Sequence, residues 1–286
     1  MPTFAPDFLE RLSRLRFTPG RLKRGAGEGE HPSGASGHAV EFRDRRAYAP
    51  GDDPRMVDWN VYARSGRLVV KEFFAEENIE VALGVDTSLS MEFGDPPKRA
   101  WAARLAGALG FLSLHLRHPV RLLAPGRPPA GPFAGPASVP DLFRAADGLA
   151  VSPAAADLRA LFDRSAGTRA LRIAISDLWD AEVLRAAAAA SARSGAGVVL
   201  VHLLSPEEAD PPLSGWVRLR DAETGRTVDR WVGEEERTAY RTLLAGVREE
   251  WSRFAAGAGA VYVPASTSVP VEEFLTVGLR EAGVLA

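Results

Sequence analysis

Along the chain, short unbroken apolar runs alternate with longer stretches in which apolar residues return every three or four positions. The runs at 79–85 (IEVALGV), 120–123 (VRLL), 171–175 (LRIAI), 197–204 (GVVLVHLL) and 260–263 (AVYV) have the length and β-branched content of buried strands. Helical spacing marks 97–115, 141–146, 153–162, 181–194, 234–256 and 271–281, the first through Trp101, Leu105, Leu109 and Leu112. Ser152 stands before Pro153 as an N-cap stands before a first helical turn. Strands that alternate with helices predict an α/β fold, a doubly wound and mostly parallel sheet with helices on both faces.

Three segments depart from that rhythm. Phe8, Leu9, Leu12 and Leu15 form one side of a short helix that stops at Pro19-Gly20. Residues 23–37 (KRGAGEGEHPSGASG) are too poor in apolar residues for a core element and too rich in glycine for a helix, so they read as a loop. Their glycine spacing follows no hydrophobic strand, which argues against a dinucleotide site. Residues 39–74 are rich in β-branched and aromatic types and broken at Pro50-Gly51 and Ser65-Gly66, predicting short strands with tight turns. Further on, alternating runs at 216–220 and 227–232 flank the turn Ala222-Glu223-Thr224-Gly225, a β-hairpin inserted between a core strand and the next helix. The expected organisation is an N-terminal helix and glycine-rich loop (1–37), a β-rich segment (38–78) and an α/β domain (79–286) with its hairpin at about 212–233.

Composition narrows the chemistry. The 286 residues, 46% hydrophobic and 25% charged, can bury a core without staples, and the absence of cysteine removes disulfides, thiolate metal sites and cysteine nucleophiles. Any metal must therefore sit on oxygen or histidine. Thirty-five basic against thirty-seven acidic residues argue against a general nucleic-acid-coating role. A local basic surface through Arg21, Lys23, Arg24 and the arginines of 43–46 remains as an alternative and would bind with strong salt dependence. No apolar run approaches the roughly 20 residues of a membrane span, and MPTFAPDFLERL lacks the pattern of a secretion signal; the expected location is the cytoplasm. Neither a G-x-x-x-x-G-K-[ST] loop nor a G-x-S-x-G elbow is present. His31, His38, His115, His118 and His202 lack the spacing of a metal motif and are assigned to surface or core.

In a doubly wound sheet, ligands gather beyond the carboxyl ends of the strands, where strand order reverses. Asp86, Ser88 and Ser90 follow the strand at 79–85 at positions i, i+2 and i+4, and Asp177 follows the strand at 171–175. Two carboxylates and two hydroxyls suit a hard cation, Mg²⁺ first, with Mn²⁺ or Ca²⁺ as alternatives. The competing reading of the same residues is helix N-capping.

VALGVDTSLSM resembles the first strand and metal-ion-dependent adhesion site (MIDAS) of von Willebrand factor type A domains. The preceding stretch, EFRDRRAYAPGDDPRMVDWNVYARSGRLVVKEF, resembles the signature of a prokaryotic family numbered fifty-eight among the domains of unknown function. That resemblance continues through IAISDLWD, VVLVHLLSPEEADPPLSGWVRLRDAETG and AYRTLL. It implies a von Willebrand A-like fold in which Asp86, Ser88, Ser90 and Asp177 hold a metal whose open position takes a carboxylate from a client protein. The threonine usual in such sites is replaced by Ala156 in Ala156-Asp157-Leu158, with Ser152 a candidate substitute. The resemblance further implies a non-enzymatic adaptor or co-chaperone working with a MoxR-type AAA+ ATPase. Gly51, Asp52, Asp53, Arg55, Asp58, Trp59 and Arg64 belong to the family-like segment. They are expected to brace it through an Arg55–Asp58 pair over Trp59, or to form a partner-docking surface. The enzymatic alternative is a Mg²⁺-dependent phosphohydrolase with Asp86 as nucleophile. That chemistry normally wants a second acid two positions on, where this chain has Ser88.

Overall fold

The computed structural model describes residues 4–18, 41–50, 52–74, 79–151, 158–162, 170–179, 181, 184–185, 188–189 and 197–286. Contacts divide the chain into two units, one of 1–27 with 79–286 and one of 28–78. The N-terminal helix α1 (Pro6–Leu12) belongs to the larger unit, where Phe8 and Leu12 enter the core.

In the smaller unit, β1 (Glu41–Ala47) leads through a 3₁₀ turn (Pro54–Met56) to α2 (Trp59–Ser65) and β2 (Val69–Phe74). The two strands pair antiparallel from Glu41 opposite Phe74 to Ala47 opposite Val69. The helix corrects the all-strand expectation for 39–74. Its aromatic and β-branched residues are overridden by two local caps. The Asp58 carboxylate accepts from the Asn60 and Val61 amides at 3.1 and 3.3 Å, and Gly66 closes the helix at φ 67°. The expected Arg55–Asp58 pair does not form, because Asp58 is occupied as the cap and Arg55 pairs with Asp53 at 2.9 Å. Arg46 grips Asp52 through two bonds of 2.6 and 2.7 Å, which with the Ala49 amide hold that carboxyl down at about 2. Trp59 lies edge-on to Tyr62 and is 58% exposed, so it packs beneath no ion pair. Arg64 is exposed in the last turn of α2, and Gly51 lies outside the described residues.

The larger unit is built on six strands: β3 (Glu80–Val85), β4 (Val120–Leu123), β5 (Ala130–Phe133), β6 (Ala170–Ser176), β7 (Gly197–Leu204) and, after the hairpin, Val261–Ser266 at the far rim. Between β3 and β5 come α3 (Lys98–His115) and the loop to β4; α4 (Val139–Asp147) follows β5. After β7 the chain makes a single helical turn, α5 (Pro206–Ala209), then the hairpin β8 (Gly215–Arg220) and β9 (Thr227–Val232), then α6 (Glu234–Ala258) and β10, the rim strand. The order across the sheet is β10-β7-β6-β3-β4-β5, parallel throughout except for β5. Both rims carry a proline, Pro132 in β5 and Pro264 in β10.

Side chains alternate across the sheet with period two. Val81, Leu83 and Val85 of β3, with Ile173 of β6 and Val201 of β7, face the core shared with α1 and α3. Ala174, Val198 and Leu200 face the other, with Trp251 of α6 and Leu161. The α/β expectation is met at this level, with the sheet mostly parallel and helices packed on it. Helix α3 is buried almost all round because the sheet lies on one side while α1, α4 and the C-terminal helical segment (271–281) cover the rest. Trp101 donates from its indole nitrogen to the Val269 carbonyl at 2.8 Å, and Arg104 pairs with Glu272. Two elements differ from the pattern-based reading. The Pro/Gly stretch after β4 contains β5, whose proline is tolerated because the strand lies at an edge. Of the helix expected at 153–162, a 3₁₀ turn at Leu158–Phe162 is described, and 152–157 lie outside the described residues.

Candidate functional site

Strand order reverses at the β3/β6 boundary, since β3 is followed in the sheet by β4 on one side while β6 continues to β7 on the other. The crevice beyond their carboxyl ends is where this class of sheet binds ligands. Asp86 directly follows β3 and its amide bonds the Ile175 carbonyl of β6 at 2.9 Å; Asp177 directly follows β6. The structure brings all four predicted residues together. The Asp86 carboxylate accepts from the Ser88 amide at 2.8 Å and from the Ser176 hydroxyl at 2.6 Å. Ser88 Oγ lies 3.0 Å from Ser90 Oγ, and Ser90 Oγ donates to Asp177 Oδ2 at 2.7 Å. The turn that aims Asp177 is strained, for Leu178 is buried at φ 58°, in the left-handed region that a leucine rarely adopts.

A cation is already built into this cluster. The Lys98 ammonium, fully buried at the start of α3, donates to the same Asp177 Oδ2 at 2.8 Å and to Glu208 Oε1 at 2.6 Å. Glu208 is fixed by the capping box of α5, in which it accepts from the Ser205 amide at 2.9 Å while the Ser205 hydroxyl accepts from the Glu208 amide. Burial, and then the charge of Asp177, push the Asp86 carboxyl above its ordinary value. Asp86 therefore favours the folded state most when protonated, and that contribution fades as pH rises through its raised pKa. A positive charge added at the site reverses this.

The donors fit a hard divalent ion. Octahedral Mg²⁺ with ligands at 2.0–2.1 Å puts neighbouring oxygens about 3 Å apart. The Ser88–Ser90 and Ser90–Asp177 oxygen separations are of that size. Hydroxyls supply half the set, and among the described residues no three histidine, aspartate or glutamate side chains form a metal cage of their own. Asp86, Ser88, Ser90 and Asp177 would hold such an ion, with Lys98 as a competitor for Asp177 Oδ2. Ser152 and Ala156 lie outside the described residues.

Sequence reasoning missed Lys98, Glu208, Glu223 and His202 as neighbours of the site. A signal existed for the first. Only three of thirty-five basic residues are lysines, and one of them follows the D-x-S-x-S loop at the head of a helix. Glu223, at the turn of the β8–β9 hairpin, accepts from the Ser90 amide at 2.7 Å across 133 residues of chain, a contact no spacing rule reveals. His202 stands on β7 opposite Ser176, with Nδ1 2.7 Å from the Tyr262 hydroxyl. Burial drives its pKa down from 6.5 to about 4. The unfolded chain then binds the proton more readily, so stability is whole above pH 6.5 and drains as pH falls toward 4. Between pH 7 and pH 5 this group alone removes about 2 kcal/mol. Urea melts of wild type and His202→Asn at both values will show it as a steeper loss in the wild type; parallel losses would mean that His202 takes up its proton in the folded protein as readily as in water.

The family model described as "protein of unknown function DUF58" matches residues 44–250. An uncharacterized protein of Mycobacterium bovis and one of Mycobacterium tuberculosis strain H37Rv are each 30% identical over 268 residues, covering 89% of this chain and 83% of theirs. No solved structure matches. The matched span contains the whole strand-end cluster, Asp86, Ser88, Ser90, Lys98, Asp177 and Glu208, together with the Asp53–Arg55 and Arg46–Asp52 pairs of the smaller unit, and the chain belongs to the DUF58 family.

Proposed function

We propose that this protein is a non-enzymatic interaction module of von Willebrand A-like architecture. Its strand-end site, with a divalent cation of the Mg²⁺ type, captures a carboxylate presented by a client protein. It serves as adaptor or co-chaperone to a MoxR-type AAA+ ATPase. One observation carries the reading: oxygens of Asp86, Ser88, Ser90 and Asp177 converge at the switch point of the sheet. A mostly parallel sheet with one antiparallel edge strand supports the architecture. The ATPase as partner rests on the resemblance of the sequence motifs.

When bound, the cation supplies Lewis acidity toward an incoming carboxylate oxygen. The chain's own residues do the rest. Asp86 is held by Ser176 and the Ser88 amide, so both its oxygens are fixed at the strand end. Ser90 and Lys98 orient Asp177. Phe93 and Trp179, each about half exposed, follow within a few residues of Ser90 and Asp177 and provide apolar area for a protein partner at the rim. The interaction reading is favoured over phosphoryl transfer because residue 88 is a serine and both oxygens of Asp86 already accept hydrogen bonds. Among the described residues no helix is long and apolar enough to cross a membrane.

Calorimetric titration with Mg²⁺ should give saturable binding by the wild type and none by Asp86→Ala. A pull-down of the ATPase should weaken at least tenfold with the same variant. Failure of Mg²⁺, Mn²⁺ and Ca²⁺ alike to bind would remove the cation from the mechanism, and turnover of phosphorylated substrates abolished by Asp86→Asn would replace the module with an enzyme.

A further inference from the structure

We propose that Glu223 is the site's own acidic occupant, a tethered carboxylate that a partner's acidic side chain must displace. This regulation rests on the carboxylate-capturing function proposed above. Glu223 Oε1 accepts a hydrogen bond from the Ser90 amide at 2.7 Å, and the hydroxyl of that same serine bonds Asp177 and adjoins Ser88. A carboxylate brought to this serine by a partner meets the same donor.

The hairpin tip is built to hold this pose. Asp221 accepts from the Thr224 amide at 2.6 Å and from the Thr224 hydroxyl at 2.8 Å, and its own amide bonds the Arg226 carbonyl at 2.8 Å. These bonds fix residues 221–226 as a closed turn and leave the Glu223 side chain free to reach the site. The ribbon behind the tip is different. Every residue from 218 to 231 is exposed, Trp216 and Trp231 among the most exposed large side chains of the protein. With little apolar area buried along its length, the ribbon is held closed weakly and can swing as a unit. Its closure also senses charge. Glu223 approaches a cluster that holds Asp86, Asp177 and Glu208 against one ammonium, so an added cation strengthens the contact and an external carboxylate competes with it.

A binding-competent fraction of about 0.1 weakens the apparent affinity for an external acid about tenfold. In cation-free protein, the Ser90 amide should exchange with deuterium at least tenfold faster in Glu223→Ala than in the wild type. In saturating Mg²⁺, calorimetry with an acetylated tetraglutamate peptide should show the variant binding about tenfold tighter, while acetylated tetralysine binds neither. Equal affinity of the two proteins for tetraglutamate, or unchanged exchange at Ser90, overturns the gating and leaves capture standing. No binding of tetraglutamate by either protein removes both.

Discussion

Replacing Lys98 by methionine lowers the free energy of unfolding by about 3–5 kcal/mol, the range seen when one partner of a buried ion pair is removed. The lysine is fully buried and its ammonium serves two carboxylates, Asp177 at 2.8 Å and Glu208 at 2.6 Å. Methionine keeps most of the volume, so the loss reports the charge and its hydrogen bonds and not a cavity. Asp177 is left 3% exposed, bonded to the Ser90 hydroxyl and near an Asp86 already pushed up by burial and then by the same charge. Because the vacated charge is what a divalent ion supplies, Mg²⁺ should stabilise Lys98→Met more than the wild type, by an increment that grows with the logarithm of its concentration. Urea midpoints with and without Mg²⁺ measure both effects. A midpoint unchanged by the substitution would show that the ammonium contributes nothing net to the cluster.

Two glycine-to-alanine changes should move stability in opposite directions. Gly84 lies in the central strand β3, where an added Cβ would come within 2.6 Å of the Leu161 carbonyl oxygen and 2.9 Å of its Cα. Backbone cannot rotate away as a side chain can, so Gly84→Ala forces the 158–162 turn off the sheet and costs about 3 kcal/mol. The displacement lies two residues before Asp86 and should also weaken cation binding. Gly246 sits exposed within α6 with nothing within 4 Å of its added Cβ, so Gly246→Ala gains about 1 kcal/mol of helix propensity. Thermal or urea melts in which Gly84→Ala is as stable as the wild type would refute the close-approach argument there.

The framework of the larger unit was legible because the buried strands are short apolar runs and the helices between them are periodic. The run at 197–204 became β7 with the bounds its apolar run predicts. What escaped was decided by contacts distant in sequence or by local caps. α2 reads as strand from Trp59, Val61 and Tyr62, yet Asp58 and Gly66 cap it at both ends. β5 carries a glycine and a proline and exists because β4 offers it an edge. At the site, Asp86, Ser88, Ser90 and Asp177 could be found from their positions after strands. Lys98 was signalled only by its rarity, and Glu208 and Glu223 could not be found, since their roles depend on which loops the sheet order brings to one crevice.

The prolines at the two rims of the sheet bear on how this protein can meet others. An edge strand normally offers a row of unpaired amides on which a foreign strand can dock, and a proline removes a donor from that row. With Pro132 in β5 and Pro264 in β10, both lateral approaches are blunted. Association by extending the sheet, whether with a copy of itself or with an unfolding client, is discouraged at either side. Under the proposed function, recognition falls to side chains at the strand ends, where a partner would be held without being drawn into the fold.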